Sequence, residues 1–438
     1  MSKIKSIYAR EILASGGEPS LETTVVLESG AVGEASVPYG ASAGSHEATV
    51  LLDGDKSRYN GKGMLKAVAN INDILAKELV GMEAGDQRKI DEKMLLIDGT
   101  EYKSKIGGNA MLGVSMAVAR AAAEEAKLPL YMYLRKTFGI YGGEIKLPRP
   151  MVVMIEGGKH ADNSTDLQEY MVSMQLNDSA RENVRREMEI YGKLKGLFKE
   201  MKINTNVGNE GAFAYAGVKQ PDVTITGAFA PTAFRTNEEP LALLLKAIEA
   251  AGYKPGKEAA LSIDAAATEF YDLGNMIYDL RTEQKKLTAD ELIDYYVSWL
   301  NKYPIVTMED MMAEDDWENW VKLVAKVNGK ATVIADDLTV TNVKRWQKAI
   351  EMKAATAILI KLNQAGTLTE TVDCCLLANK HGLMTVPSHR GGGETNDTSM
   401  VDLAVAVGSA YIKVGPTRGE RVCKYNRLMR IEEELNRG

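Results

Sequence analysis

Four short apolar runs between Leu261 and Gln364 each end in one charged residue, and that register limits the possible folds most. Leu261-Ser262-Ile263 ends at Asp264, and Pro304-Ile305-Val306-Thr307-Met308 ends at Glu309. Thr332-Val333-Ile334-Ala335 ends at Asp336, and Ala357-Ile358-Leu359-Ile360 ends at Lys361. The steps from Glu309 to Asp336 and from Asp336 to Lys361 are each close to the ~30 residues of a strand-plus-helix unit in an eightfold α/β barrel. The step from Asp264 to Glu309 fits one such unit with a longer loop. Parallel strands buried on both faces read as continuous apolar runs, as these do. The segments 289–301 and 317–327 between them have helical spacing.

In such a barrel the C-terminal strand ends carry the chemistry. Taken singly, each charged residue is equally well read as a polar cap facing solvent. Four in register point to one shared mouth. Three carboxylates without thiolates or paired imidazoles suit a hard, oxygen-seeking cation, with Mg²⁺ the default. A lysine beside that cation is pushed toward its neutral form by like charge and can then act as a base. Two more units follow. Leu383-Met384-Thr385-Val386 leads into Pro387-Ser388-His389-Arg390-Gly391-Gly392-Gly393-Glu394, and Ala410-Tyr411-Ile412 leads into Lys413. A His-Arg pair before three glycines reads either as an anion clamp or as a flexible loop with incidental charge.

The rest of the chain is long enough for a second, smaller domain, since it has 438 residues in all. Ile7 to Leu13, Glu22 to Leu27 and Gly33 to Val37 are strand candidates, with a turn at Ser29-Gly30. Residues 38–47 are mostly small and read as a lid or as an ordinary surface loop. Helical spacing recurs over 64–80 and 86–97, and the alanine-rich stretch 108–134 reads as one buried helix. Gly142-Gly143 and Pro148-Arg149-Pro150 mark a linker. Met151 to Ile155 and Asp166 to Met174 are strand-like, 178–201 is helical, and 206–212 is a glycine-containing turn that carries Glu210. A net charge of −7 gives no reason to expect a nucleic-acid or membrane partner. The three cysteines form no metal or disulfide spacing. With no signal-peptide pattern at the N-terminus, a cytoplasmic protein is expected.

Motifs along the whole chain resemble those of the enolase family. They include Ala9-Arg10-Glu11-Ile12-Leu13, Gly40-Ala41-Ser42, Gly157-Gly158-Lys159-His160-Ala161-Asp162-Asn163 and Leu167-Gln168-Glu169. They continue with Asp264-Ala265-Ala266-Ala267, Glu309-Asp310, Asp336-Asp337-Leu338-Thr339, Ile360-Lys361-Leu362-Asn363-Gln364, Ser388-His389-Arg390 and Ile412-Lys413. The resemblance implies an α+β capping domain with a lid loop (residues 1–142) on a (β/α)8-type barrel of the enolase kind (143–438), in a homodimer or higher homo-oligomer. It implies dehydration of the small phosphorylated substrate 2-phosphoglycerate to phosphoenolpyruvate, with two Mg²⁺. Asp264, Glu309 and Asp336 would bind the first, and Ser42 would help hold the second, completed with substrate and lid. Lys361 would take the C2 proton, a lysine base beside Mg²⁺ being the known pattern of this superfamily. Lys413 would stabilise the enolate. Glu210, supported by Glu169, would assist loss of the C3 hydroxyl. His160, Gln168, His389 and Arg390 would position substrate, with Arg390 on the phosphate.

Several positions depart from the family pattern. Gly391 stands where a serine meets the phosphate, so only backbone N–H groups remain there. Glu156 replaces an asparagine and is expected to add a negative charge near an anion site. Asn209 replaces an aspartate. Three functional readings follow: a glycolytic enolase, a paralogue acting on a related phosphonate or phosphorylated hydroxy acid, and a binding or structural homologue without catalysis.

Overall fold

A computed structural model describes residues 1–40, 44–141, 144–162, 164–214 and 236–437. The first domain opens with an antiparallel three-stranded meander of Ile4–Leu13, Pro19–Leu27 and Val32–Val37. The helix Gly108–Glu125 lies across it, buried along almost its whole length. Small residues on both the strand and the helix permit the contact: a Cβ on Gly33 would meet Ala117 O at 2.1 Å, and one on Gly113 would meet Thr23 Oγ1 at 2.6 Å. The expected single helix over 108–134 is in fact two. Lys127 turns into positive φ, Pro129 has no N–H to continue the ladder, and a new helix begins at Leu130.

The second domain is the barrel. Its strands follow one another around the sheet as Met384–Pro387, Ala357–Ile360, Thr332–Ala335, Ile305–Glu309, Ala259–Asp264, Glu169–Met174, Arg149–Glu156 and Tyr411–Val414. A bridge between Ser388 and Lys413 links the two ends. The expected succession of parallel strand–helix units holds with one exception. Glu169–Met174 runs antiparallel to both neighbours. The short connection is the reason: antiparallel strands need no long crossover, and among the described residues no α-helix lies between Glu156 and Glu169. That reversal puts the first residue of this strand at the mouth where the other strands end. Glu169 is paired with Glu156 on one side and Asp264 on the other, and Asp264 is paired with Glu309.

Outer helices pack on the ring through large apolar side chains, and Trp299, Trp320 and Trp346 are fully buried. Thr288 and Glu291 form a reciprocal capping box at the start of Ala289–Leu300, which fixes where that helix begins. The two domains are joined at the mouth itself. Gly392–Gly393 pairs antiparallel with Tyr39–Gly40, and Ser45 Oγ donates to Glu314 at 2.6 Å. The expected boundary between residues 142 and 143 and the ligand candidate Ser42 lie outside the described residues. Among the described residues, no helix is long and apolar enough to cross a membrane.

Candidate active site

The strand ends bring His160, Gln168, Glu169, Glu210, Asp264, Asp336, Lys361, His389, Arg390, Gly391 and Lys413 to one cavity. Glu309 lies directly beneath, fully buried. The cavity volume is about 30 Å³, one water's share. A ligand larger than a water therefore enters only as these side chains exchange their present partners for it.

Lys413 holds the centre. Its ammonium lies 2.8 Å from Glu169 Oε2, 2.9 Å from Asp264 Oδ2 and 2.7 Å from Glu309 Oε1. Burial alone would favour the neutral amine, but Asp264, Glu169 and Glu309 outweigh it and hold the Lys413 pKa well above the usual lysine range. Burial pushes Glu309 well up, and Asp264 beside it adds to the shift. Oε2 of Glu309 is buried and has no hydrogen-bond partner. An all-oxygen donor set with such an orphaned acceptor fits a hard divalent cation. Among the described residues, two groups offer three donor atoms within 4.8 Å of one another, His160 with Glu169 and Glu210, and Asp310 with Asp336 and Asp337, and Asp264 and Glu309 belong to neither.

Lys361 pairs with Asp336. From the sequence, this lysine is expected near its neutral form beside a cation. In the structure, burial does act in that direction, but the Asp336 carboxylate beside it wins and raises its pKa. Asp336 is held in turn. Its Oδ1 accepts from Gln364 at 2.8 Å, and its backbone N–H donates to Asp310 Oδ1 at 2.8 Å.

Opposite the lysines lies an acid–imidazole cluster. His160 Nδ1 is 3.3 Å from Glu169 Oε1 and 3.5 Å from Glu210 Oε1, and His389 Nε2 is 3.3 Å from the same Glu210 oxygen. Burial opposes the charge on His160, but Glu210 and Glu169 raise its pKa to about 9. Burial also lowers the pKa of His389, only partly offset by Glu210. The Gly415 N–H faces His389 Nδ1 at 3.4 Å, which leaves the Nε2 proton facing Glu210. Glu210 stays ionised: His389 and His160 outweigh its burial.

Arg390 ends the sequence-predicted set. Its Nη1 donates to Glu47 Oε1 at 3.0 Å, and both side chains are buried. Gln364 Nε2 also reaches Glu47, at 3.2 Å. The Arg390 N–H donates to Glu394 Oε2 at 2.8 Å, and its carbonyl accepts from Arg421 Nη2 at 2.9 Å. Lys424 holds the other Glu394 oxygen at 3.1 Å. Sequence reasoning missed Glu47, Asp310, Gln364, Glu394, Arg421 and Lys424 as contributors. Asp310 and Gln364 sit inside motifs already singled out. Arg421 and Lys424 are three residues apart on the helix Gly419–Arg437, and that spacing was the available signal.

Two family models match the chain. Residues 4–134 match the one described as enolase, N-terminal domain, and residues 144–438 match the one described as enolase, C-terminal TIM barrel domain.

Proposed function

The chain belongs to the enolase family, and on that premise we propose that it is a lyase that dehydrates 2-phosphoglycerate to phosphoenolpyruvate. The observation that carries this reading is the division of charge in one cavity. Lys361 has a single carboxylate partner in Asp336, Lys413 has three, and the protonated His160 imidazole lies on the opposite side.

Lys361 takes the proton from C2. Asp336 is among the residues that would hold a cation, and so engaged it would no longer stabilise the Lys361 ammonium, which would favour the neutral amine. Lys413 remains charged and faces the developing enolate. The His160–Glu210–His389 cluster delivers the proton that lets the C3 hydroxyl leave as water. The C2–H and C3–O bonds break, and the C2–C3 double bond forms. Arg390 receives the phosphate in exchange for Glu47. Asp264, Glu309 and Asp336 are the residues that would hold Mg²⁺, whose contribution when bound is electrostatic stabilisation of the carboxylate-enolate.

A second reading, a related phosphonate or phosphorylated hydroxy acid as substrate, is favoured by the phosphate end alone. Gly391 offers no hydroxyl there, and Arg390 already has a buried carboxylate partner. The test is product absorbance from 2-phosphoglycerate with purified protein and Mg²⁺. Turnover within the usual ~1–10³ s⁻¹ supports the first reading. Negligible turnover with 2-phosphoglycerate but activity on an analogue supports the second.

A further inference from the structure

We propose that Glu156 is a positioning residue for the leaving-group half of the reaction, its carboxyl clamping the backbone amides on either side of Gly211 and so aiming Glu210 between His160 and His389. This rests on the functional reading above. Glu156 is fully buried at the end of the strand Arg149–Glu156. Its Oε1 accepts from the Ala212 N–H at 2.7 Å and from the Glu210 N–H at 3.2 Å, and its Oε2 lies 3.1 Å from the same Glu210 nitrogen. Buried amides at a tight turn need such acceptors, and this carboxyl reaches two of them.

The turn has no slack around that clamp. A Cβ on Gly208 would meet Glu156 Oε2 at 2.5 Å, one on Gly211 would meet Thr417 Oγ1 at 2.4 Å, and one on Gly415 would meet Glu210 O at 2.2 Å. On the far side, Ile155 and Glu156 pair with Phe213 and Ala214. The Asn209 N–H faces His160 O at 3.3 Å, tying the turn to the imidazole it serves. Glu210 is thus aimed by its own backbone amide, and the group that holds the amide is Glu156. An asparagine here, the residue the family pattern calls for, is one methylene shorter.

The clamp also accounts for an acid so close to another acid. Burial, reinforced by Glu210, pushes the Glu156 carboxyl up to about 8. At neutral pH it is uncharged and does not repel Glu210, contrary to the extra negative charge expected from the sequence. A glutamine, uncharged and of the same length, reproduces its acceptor oxygen.

The experiment compares Glu156→Ala, Glu156→Gln and Gly208→Ala in full-length protein by two readouts. The first is hydrogen–deuterium exchange of peptides covering 206–214. Glu156→Ala and Gly208→Ala are expected to speed exchange there and not in the other barrel strand ends, whereas Glu156→Gln stays close to wild type. The second separates the two halves of the reaction on 2-phosphoglycerate. Glu156→Ala is expected to lower dehydration kcat about 10–100-fold, a fraction of what a whole general acid contributes. KM and Lys361-dependent exchange of the C2 proton with solvent stay near wild type. Equal loss of both halves, loss of neither, or a Glu156→Gln variant as impaired as Glu156→Ala would overturn the proposal. Should Glu156→Ala fail to fold, Glu156→Gln and Gly208→Ala decide by the same criteria. A wild-type protein inert toward 2-phosphoglycerate would remove the functional reading instead, and peptide exchange alone would then decide the clamp.

Discussion

A Cβ on Gly391 would lie 2.4 Å from Nε2 of His160 and 2.9 Å from Glu210 Oε1, so a side chain at position 391 and the present seat of the imidazole exclude each other. The glycine is therefore matched to this arrangement of the cluster. Gly391→Ser, which installs the residue of the family pattern, must displace the ring or the loop. Turnover is expected to fall at least about tenfold, within the range by which small misplacements lower rates. Equal or higher activity in the serine variant would mean that His160 does not need its present position.

Native stability should fall as pH rises from about 6.5 to 9. The folded-state pKa of His160 is raised to about 9, above the ~6.5 of an unfolded histidine. Its contribution is thus complete below about 6.5 and lost as pH climbs through about 9. Glu156 acts in the same direction for the opposite reason. Its pKa is raised to about 8, so ionising it in place costs stability increasingly from about 4.3 upward. At ~1.4 kcal/mol per pH unit, the combined loss between about pH 6.5 and 9 is on the order of 5 kcal/mol. Thermal melts across this range check it, and His160→Gln should flatten the limb above pH 6.5. A melting temperature that climbs toward pH 9 would contradict the assignment of charges.

The barrel was legible because its parallel strands are unbroken apolar runs that stop at a charged residue. Asp264, Glu309, Asp336 and Lys361 each sit where that pattern puts them, at one mouth. The reversed strand was not legible as such. Nothing in Glu169–Met174 itself reports its direction, which follows from the short loop before it. The helix break at Pro129 was readable from the proline and was overridden by the alanine run around it. Charge states were the least legible part. Glu156 reads as an anion, yet burial pushes its carboxyl up to about 8, and the Asp336 carboxylate raises the pKa of Lys361, which a neighbouring cation would lower. Such shifts depend on which groups the fold brings within a few ångströms, and sequence separation carries little of that.

Removing the Lys413 ammonium should expose how much the carboxylates around it repel one another. Lys413→Ala leaves Glu169, Asp264 and Glu309 buried without their shared partner. Breaking a buried ion pair from one side costs about 3–5 kcal/mol. The variant should be destabilised by roughly that amount in chelator. It should recover much of the loss in millimolar Mg²⁺, because a cation bound only by the folded state stabilises it by mass action. Melting curves with chelator and with Mg²⁺ provide the check. Destabilisation that Mg²⁺ leaves unchanged would separate these carboxylates from the metal.

The most direct measurement is exchange of the C2 proton of 2-phosphoglycerate with deuterated solvent, by wild type and Lys361→Ala side by side in Mg²⁺. Exchange and phosphoenolpyruvate formation are expected from the wild type. A loss of about 10²–10⁴-fold is expected in the variant, the usual contribution of a general base. Exchange at the wild-type rate without Lys361 would contradict that role, and so would a wild type that leaves the C2 proton in place.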